Sequence, residues 1–99
     1  LFNNQMFGTI RMHQEREYPG RVSGTTLHNP DFAAVARAFG GHGETVAATE
    51  EFAPALQRAL AFTREQNLPA IIELRYDGNL ITPGATLDTL RQQAVAAGK

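Results

Sequence analysis

The run Ala70-Ile71-Ile72-Glu73-Leu74-Arg75 constrains the fold more than any other stretch of the chain. It is β-branched and nearly continuously apolar at its start, the pattern of a strand covered on both faces. Strands of that kind sit in parallel sheets, whose neighbours must be joined by crossovers, usually helical. The residues just before it supply one. Thr49 is a candidate cap, Glu50 and Glu51 suit a first turn, and Phe52, Leu56, Ala59 and Leu60 form an apolar line. Pro54 lies early enough to be tolerated, and Asn67-Leu68-Pro69 ends the helix.

The pattern repeats upstream. Asn29 followed by Pro30 and Asp31 reads as a helix start, and Phe32, Val35, Ala36 and Phe39 recur at helical spacing before Gly40. That spacing predicts a helix over 30–39 with those four residues facing the sheet. The turn Gly40-Gly41-His42-Gly43 then leads into a short strand at Thr45-Val46-Ala47. Downstream, Asp77-Gly78-Asn79 reads as a turn, and Thr86 can cap a last helix to about Ala97, with Leu87, Leu90 and Ala94 inward. Tyr18 to Thr26 has turn formers and no period, so it is expected as loop. Alternating strands and helices predict an α/β fold, a parallel sheet with flanking helices and right-handed crossovers.

Composition narrows the function. Nine Lys+Arg against ten Asp+Glu give a net charge of −1, without the basic excess that non-specific binding to nucleic acid or anionic lipid needs. There is no cysteine, hence no disulfide, thiolate zinc site or Cys nucleophile. No apolar run is long enough to span a membrane, and no signal-peptide pattern opens the chain. With 99 residues, 42% hydrophobic, one modest core is expected. Leu1-Phe2 running into Asn3-Asn4 reads as a strand end cut in the middle, which points to a fragment of a larger chain. A sheet truncated there would leave apolar surface and an open edge for other segments or copies to cover.

Most polar clusters carry little chemistry. His13 and Glu17 are four apart, but two ligands fall short of the usual metal set, so a solvated pair is the plainer reading. His42 between glycines is most simply a turn residue. Gly41-x-Gly43 resembles a dinucleotide loop but follows a helix and precedes a strand, the wrong order. Ser23 has no base beside it, and Arg11, Arg16 and Arg21 interleaved with Glu15 and Glu17 read as a solvated face.

The opening run differs. In Leu1-Phe2-Asn3-Asn4-Gln5-Met6-Phe7-Gly8-Thr9-Ile10 a strand ends in two amides and turns through glycine into an amphipathic segment. Amide and backbone oxygens at a strand end are hard ligands of the kind Mg²⁺ prefers. Backbone N–H groups at a helix start suit phosphate oxygens. Asparagine is also a common turn and cap residue, so chemistry alone leaves both readings open.

This run resembles the second half of the thiamine-diphosphate signature, which begins Gly-Asp-Gly and ends in Asn-Asn. Arg11-Met12-His13-Gln14-Glu15, Gly20-Arg21-Val22-Ser23-Gly24-Thr25, the segment Asn29 to Gly41 and Pro69 to Leu74 continue the likeness. Together they resemble the C-terminal cofactor domain of acetolactate-synthase-like enzymes across essentially the whole chain. The resemblance implies Mg²⁺ ligation by the Asn4 side chain and the Met6 carbonyl, and diphosphate contacts from the N–H groups of Phe7, Gly8 and Thr9. It places Ile10 and His13 toward substrate, His13 where acetolactate synthases carry a Trp, which leaves the 2-oxo acid open. It implies no catalytic residue within this segment, because the Gly-Asp-Gly half and the activating glutamate lie elsewhere. The parent is then a cytoplasmic, homo-oligomeric enzyme that decarboxylates, ligates or transfers acetyl from 2-oxo acids, and the segment alone is expected to be inactive. The alternative is a stand-alone α/β interaction module or a domain that has lost its cofactor.

Overall fold

A computed structural model describes residues 1–99, which form two compact units: Leu1–Asn3 with Asn29–Tyr76, and Asn4–His28 with Asp77–Lys99. The first unit is the parallel sheet. Strands β1 (Phe2–Asn3), β2 (His42–Val46) and β3 (Ala70–Arg75) lie in the order β1-β3-β2, and both pairings are parallel. The apolar run at residues 70–75 is thus the central strand, as its composition predicts.

Helix α2 (Phe32–Ala38) and helix α3 (Thr49–Gln66) cover the sheet from its two faces. Gly43 of β2 stands against the Ala33 backbone of α2. The alternate residues His42 and Glu44 meet α3, through a ring contact to Phe62 and an ion pair to Arg58. α3 keeps Pro54 in its second turn and ends at Asn67, which adopts the left-handed conformation (φ 53°).

Three expectations are corrected here. Helix α2 begins at Phe32, with the Asp31 carboxylate accepting the Ala34 N–H at 2.9 Å, so Asp31 and not Asn29 is its cap. Its buried seam is Ala33 and Ala36, while Val35 is 38% exposed and Phe39 86% exposed. The cause is Gly43: without a side chain it admits the α2 backbone so closely that only small residues fit the seam. Phe39 lies past the helix end and points outward. The Phe52–Leu56–Leu60 line of α3 is likewise only half-covered, with Ala55 and Ala59 forming the buried contact. Third, the strand after α2 starts at His42, so His42 pairs with Ala70 in the sheet and is no turn residue. An expected outcome follows. Phe39→Ala should change unfolding stability by no more than about 0.5 kcal/mol, the range of exposed sites, instead of the several kcal/mol a buried Phe would lose. Denaturant titration measures it.

The second unit is built on helix α1 (Gly8–Glu17) and helix α4 (Leu87–Ala96), which pack together. A small antiparallel hairpin, β4 (Leu80–Thr82) with β5 (Ala85–Thr86), precedes α4. This hairpin is not among the elements the sequence predicts. Thr86 caps α4 as expected, its hydroxyl accepting the Thr89 N–H at 3.1 Å, and Leu87 and Ala94 are buried.

The expected solvated face on α1 is corrected as well. Glu15 is completely buried. Arg91 of α4 grips it with two bonds, Nε to Oε2 at 2.8 Å and Nη2 to Oε1 at 2.7 Å, while Arg11 and the Gly20 N–H add two more. The Arg91 hydrogen bonds foremost hold its carboxyl at about 2, from an ordinary 4.5, against the upward push of burial. His13 turns to Arg16, its Nδ1 2.7 Å from Nη2, and Glu17 pairs with Arg16 and Lys99, so the expected His13–Glu17 pair does not form.

Candidate cofactor site

The turn that follows β1 carries the candidate site. Asn4 Oδ1 accepts the Met6 N–H at 3.2 Å, closing a short side-chain turn around Gln5. Gln5 sits at φ 60°, and Asn67 at a helix end is the other non-glycine residue with positive φ. The left-handed region costs a non-glycine residue about 1–2 kcal/mol. Strain of this kind gathers where a backbone shape serves a site.

The far side of the turn is set by Thr25–Leu27. The Phe7 N–H donates to the Thr25 carbonyl at 2.9 Å and the Leu27 N–H to the Gln5 carbonyl at 2.8 Å, which makes Met6 and Thr26 a bridged pair. In an antiparallel bridge bonded through the flanking residues, the central residue turns its own N–H and C=O away from the partner segment. The Met6 carbonyl therefore points to the side where Asn4 Oδ1 meets the Met6 N–H. Two oxygens, one amide and one peptide, share that side.

Helix α1 starts two residues later. It has no side-chain cap and no acidic residue in its first turn. The other three helices each carry at least one of those features. Its leading N–H groups and the positive end of its dipole are the donor set an anion needs. A Cβ at Gly8 would lie 2.9 Å from Asn4 Nδ2, so a larger residue there would displace the Asn4 amide. Gly78 is similarly tight against the Met6 side chain, with a Cβ position 3.1 Å from the Asn4 carbonyl. Asn4, Met6, Gly8 and Gly78 thus form one close cluster.

Other sequence-named residues are placed less decisively. Gly8 and Thr9 stand at the helix start, whereas the Phe7 N–H is already held by the Thr25 carbonyl. Ile10 is 54% exposed and His13 is exposed one turn further along α1, so they share a helix face.

A second polar cluster was missed by sequence reasoning. Glu73, in the middle of β3, is fully buried, and Asn3 beside it is 3% exposed. Asn3 Nδ2 donates to Glu73 Oε1 at 2.6 Å, Thr45 Oγ1 to Oε2 at 3.3 Å, and Arg75 Nε to Oε1 at 3.3 Å. Burial pushes the carboxyl up, and the bonds from Asn3, Arg75 and Thr45 outweigh it, so Glu73 stays below the usual range. The available signal was a Glu inside an otherwise apolar strand, which demands partners.

The parallel sheet and its two covering helices define an α/β domain. The chain belongs to the family described as thiamine pyrophosphate enzyme, C-terminal TPP binding domain, which matches residues 1–74. Thiamine diphosphate with Mg²⁺ is the cofactor of that family. The chain is 36% identical over 88 residues to the acetolactate synthase isozyme 2 large subunit of Escherichia coli, covering 87% of this chain and 16% of that protein. It is 33% identical over 81 residues to an acetolactate synthase large subunit of Mycobacterium tuberculosis, covering 82% and 14%. A sulfoacetaldehyde acetyltransferase of Castellaniella defragrans is 30% identical over 74 residues, covering 75% and 12%. The chain therefore spans less than a fifth of the length of these relatives. No helix is long and apolar enough to cross a membrane.

Proposed function

We propose that residues 1–99 are the C-terminal part of the thiamine-diphosphate domain of a larger cytoplasmic, homo-oligomeric enzyme acting on 2-oxo acids. The reaction is decarboxylation with carboligation, or acetyl transfer. The observation that carries this reading is the shared side of Asn4 Oδ1 and the Met6 carbonyl, beside an uncapped helix start. Those donors fit the group: hard oxygens for Mg²⁺, backbone N–H groups for a diphosphate. Asn4 and Met6 would hold the ion, and Gly8 and Thr9 the diphosphate. When bound, the cofactor supplies an electron sink for carbanion chemistry at the 2-oxo carbon. Two oxygens are fewer than Mg²⁺ takes, so the diphosphate, water and groups outside this segment would complete its shell. Ile10 and His13 face substrate. The segment alone is inactive, since it contributes binding groups and no catalytic residue.

Exposed Phe2 (77%) and the half-covered line Phe52, Leu56, Leu60 support the presence of further segments or copies over the first unit. Such surface is unusual on a free-standing monomer.

The test uses the full-length enzyme. Asn4→Ala should weaken thiamine-diphosphate binding at fixed Mg²⁺ by about tenfold or more, as loss of one ligand of a six-coordinate ion implies. Met6→Ala should do far less, because its ligand is a carbonyl that survives the substitution. His13→Ala should leave cofactor affinity near that of the parent and shift relative activity between short and aromatic 2-oxo acids. An Asn4→Ala enzyme that binds cofactor as the parent does would reduce the turn to an ordinary cap.

A further inference from the structure

The turn from Asn4 to Met6 does not keep its shape alone. Gln5 stands at φ 60°, and a non-glycine residue stays in that region only where its surroundings over-determine it. Two backbone bonds do so, the Phe7 N–H to the Thr25 carbonyl at 2.9 Å and the Leu27 N–H to the Gln5 carbonyl at 2.8 Å. Both lead to residues 25–27, so the turn is only as firm as that segment.

The stretch from Tyr18 to Thr26 forms no helix, and its one strand-like pairing is the bridge from Thr26 to Met6. Side chains of α1 hold it instead. Glu15 Oε2 accepts the Gly20 N–H at 2.9 Å. Gln14, the residue before, grips the stretch twice: its Nε2 donates to the Ser23 carbonyl at 2.7 Å, and its Oε1 accepts from the Thr25 hydroxyl at 3.2 Å. With one end of the amide on an acceptor and the other on a donor, only one orientation satisfies both. Thr25 is 2% exposed, so its hydroxyl needs a partner inside the protein. The residue whose hydroxyl Gln14 holds is thus the one whose carbonyl holds Phe7. All of these residues lie within the second unit.

We propose that Gln14 is a positioning residue for the metal turn: its amide fixes Ser23 and Thr25, and Thr25 fixes the backbone that carries Asn4 Oδ1 and the Met6 carbonyl. The inference rests on the reading of Asn4 as a Mg²⁺ ligand. Both ends of the Gln14 amide are taken up by the loop, so it acts through Thr25 and offers nothing to the ion itself. Loss of groups that orient metal ligands typically lowers metal affinity about 10- to 100-fold, and a residue acting through another belongs at the low end.

Gln14→Met keeps the length of the side chain and removes both bonds. Thr25→Val removes the hydroxyl and leaves the carbonyl, while Thr25→Ser keeps both. In the full-length enzyme, the Mg²⁺ concentration giving half-maximal thiamine-diphosphate binding is measured by calorimetry, alongside Tm without cofactor. Gln14→Met should raise that concentration about tenfold. Thr25→Val should move it in the same direction, and Thr25→Ser should stay close to the parent. A merely structural role would lower Tm with no change in Mg²⁺ requirement, and that result overturns the proposal. Should Gln14→Met fail to fold, the Thr25 pair decides: a requirement raised in Thr25→Val and not in Thr25→Ser supports the proposal, and one unchanged in both defeats it. Asn4→Ala runs beside them. If Asn4→Ala raises the requirement and Gln14→Met does not, only the positioning role fails. If Asn4→Ala changes nothing, the ligand assignment itself fails.

Discussion

Arg91→Ala should cost about 3–5 kcal/mol of unfolding stability, because it removes the main partner of a carboxylate with no exposed surface. Arg11 and the Gly20 N–H remain on Glu15, which places the loss toward the lower end. Replacing both partners by leucine should recover most of it, since the penalty comes from an uncompensated buried charge more than from a lost attraction. The same group sets an acid limit. Glu15 is held at about 2 in the folded chain against an ordinary 4.5, so its contribution is complete above 4.5 and is lost as pH falls toward 2. Over that window stability should fall by roughly 3 kcal/mol from this group. In Glu15→Leu the slope in that window should flatten. Urea unfolding at several pH values checks both, and an Arg91→Ala loss under 1 kcal/mol would show the knot to be ornamental.

Gly43→Ala is expected to be the most damaging single methyl in the chain. Its Cβ would land on the Ala33 carbonyl, with the Ala33 Cα at 2.9 Å, and backbone cannot rotate aside as a side chain can. Either α2 lifts from the sheet or β2 loses register with Ile71. Overpacking of this kind costs typically 1–3 kcal/mol, and a backbone clash belongs at the upper end. Gly84 is the control. Nothing lies within 4 Å of its Cβ position and its φ is not positive, so Gly84→Ala should be neutral or gain up to about 1 kcal/mol. Comparable losses at both positions would contradict the close α2–β2 seam.

That seam also explains where the sequence could be read and where it could not. The central strand at residues 70–75, the span of α3 and the Thr86 cap were legible, since β-branched runs, capping residues and helical spacing act locally; the expected α3 cap is corrected, because Thr49 is its first helical residue and Ala48 stands at the cap position. The α2 face was not. Its apolar stripe named Phe32, Val35, Ala36 and Phe39, but the approach permitted by a distant glycine chose Ala33 beside Ala36 and left Val35 and Phe39 exposed. Glu15 and Glu73 failed for the same kind of reason. Glu15 takes its character from Arg91, 76 residues away, and Glu73 from Asn3, 70 residues away. Spacing along the chain carries no trace of such pairs. The candidate site differs in kind because its parts are nearly consecutive: Asn4, Met6 and Gly8 follow one another at every second residue, so it could be named from the sequence alone. Only the engagement of the Phe7 N–H by Thr25 needed the fold.

Whether Asn4 ligates the metal is read out by Mn²⁺ in place of Mg²⁺. Free Mn²⁺ is followed by electron paramagnetic resonance as it is titrated into the full-length enzyme with saturating thiamine diphosphate. The parent should bind one Mn²⁺ per cofactor site. Asn4→Ala should weaken that binding by about tenfold or more, while Met6→Ala, which keeps its carbonyl, should stay near the parent. Equal Mn²⁺ affinity in the parent and Asn4→Ala would contradict the account.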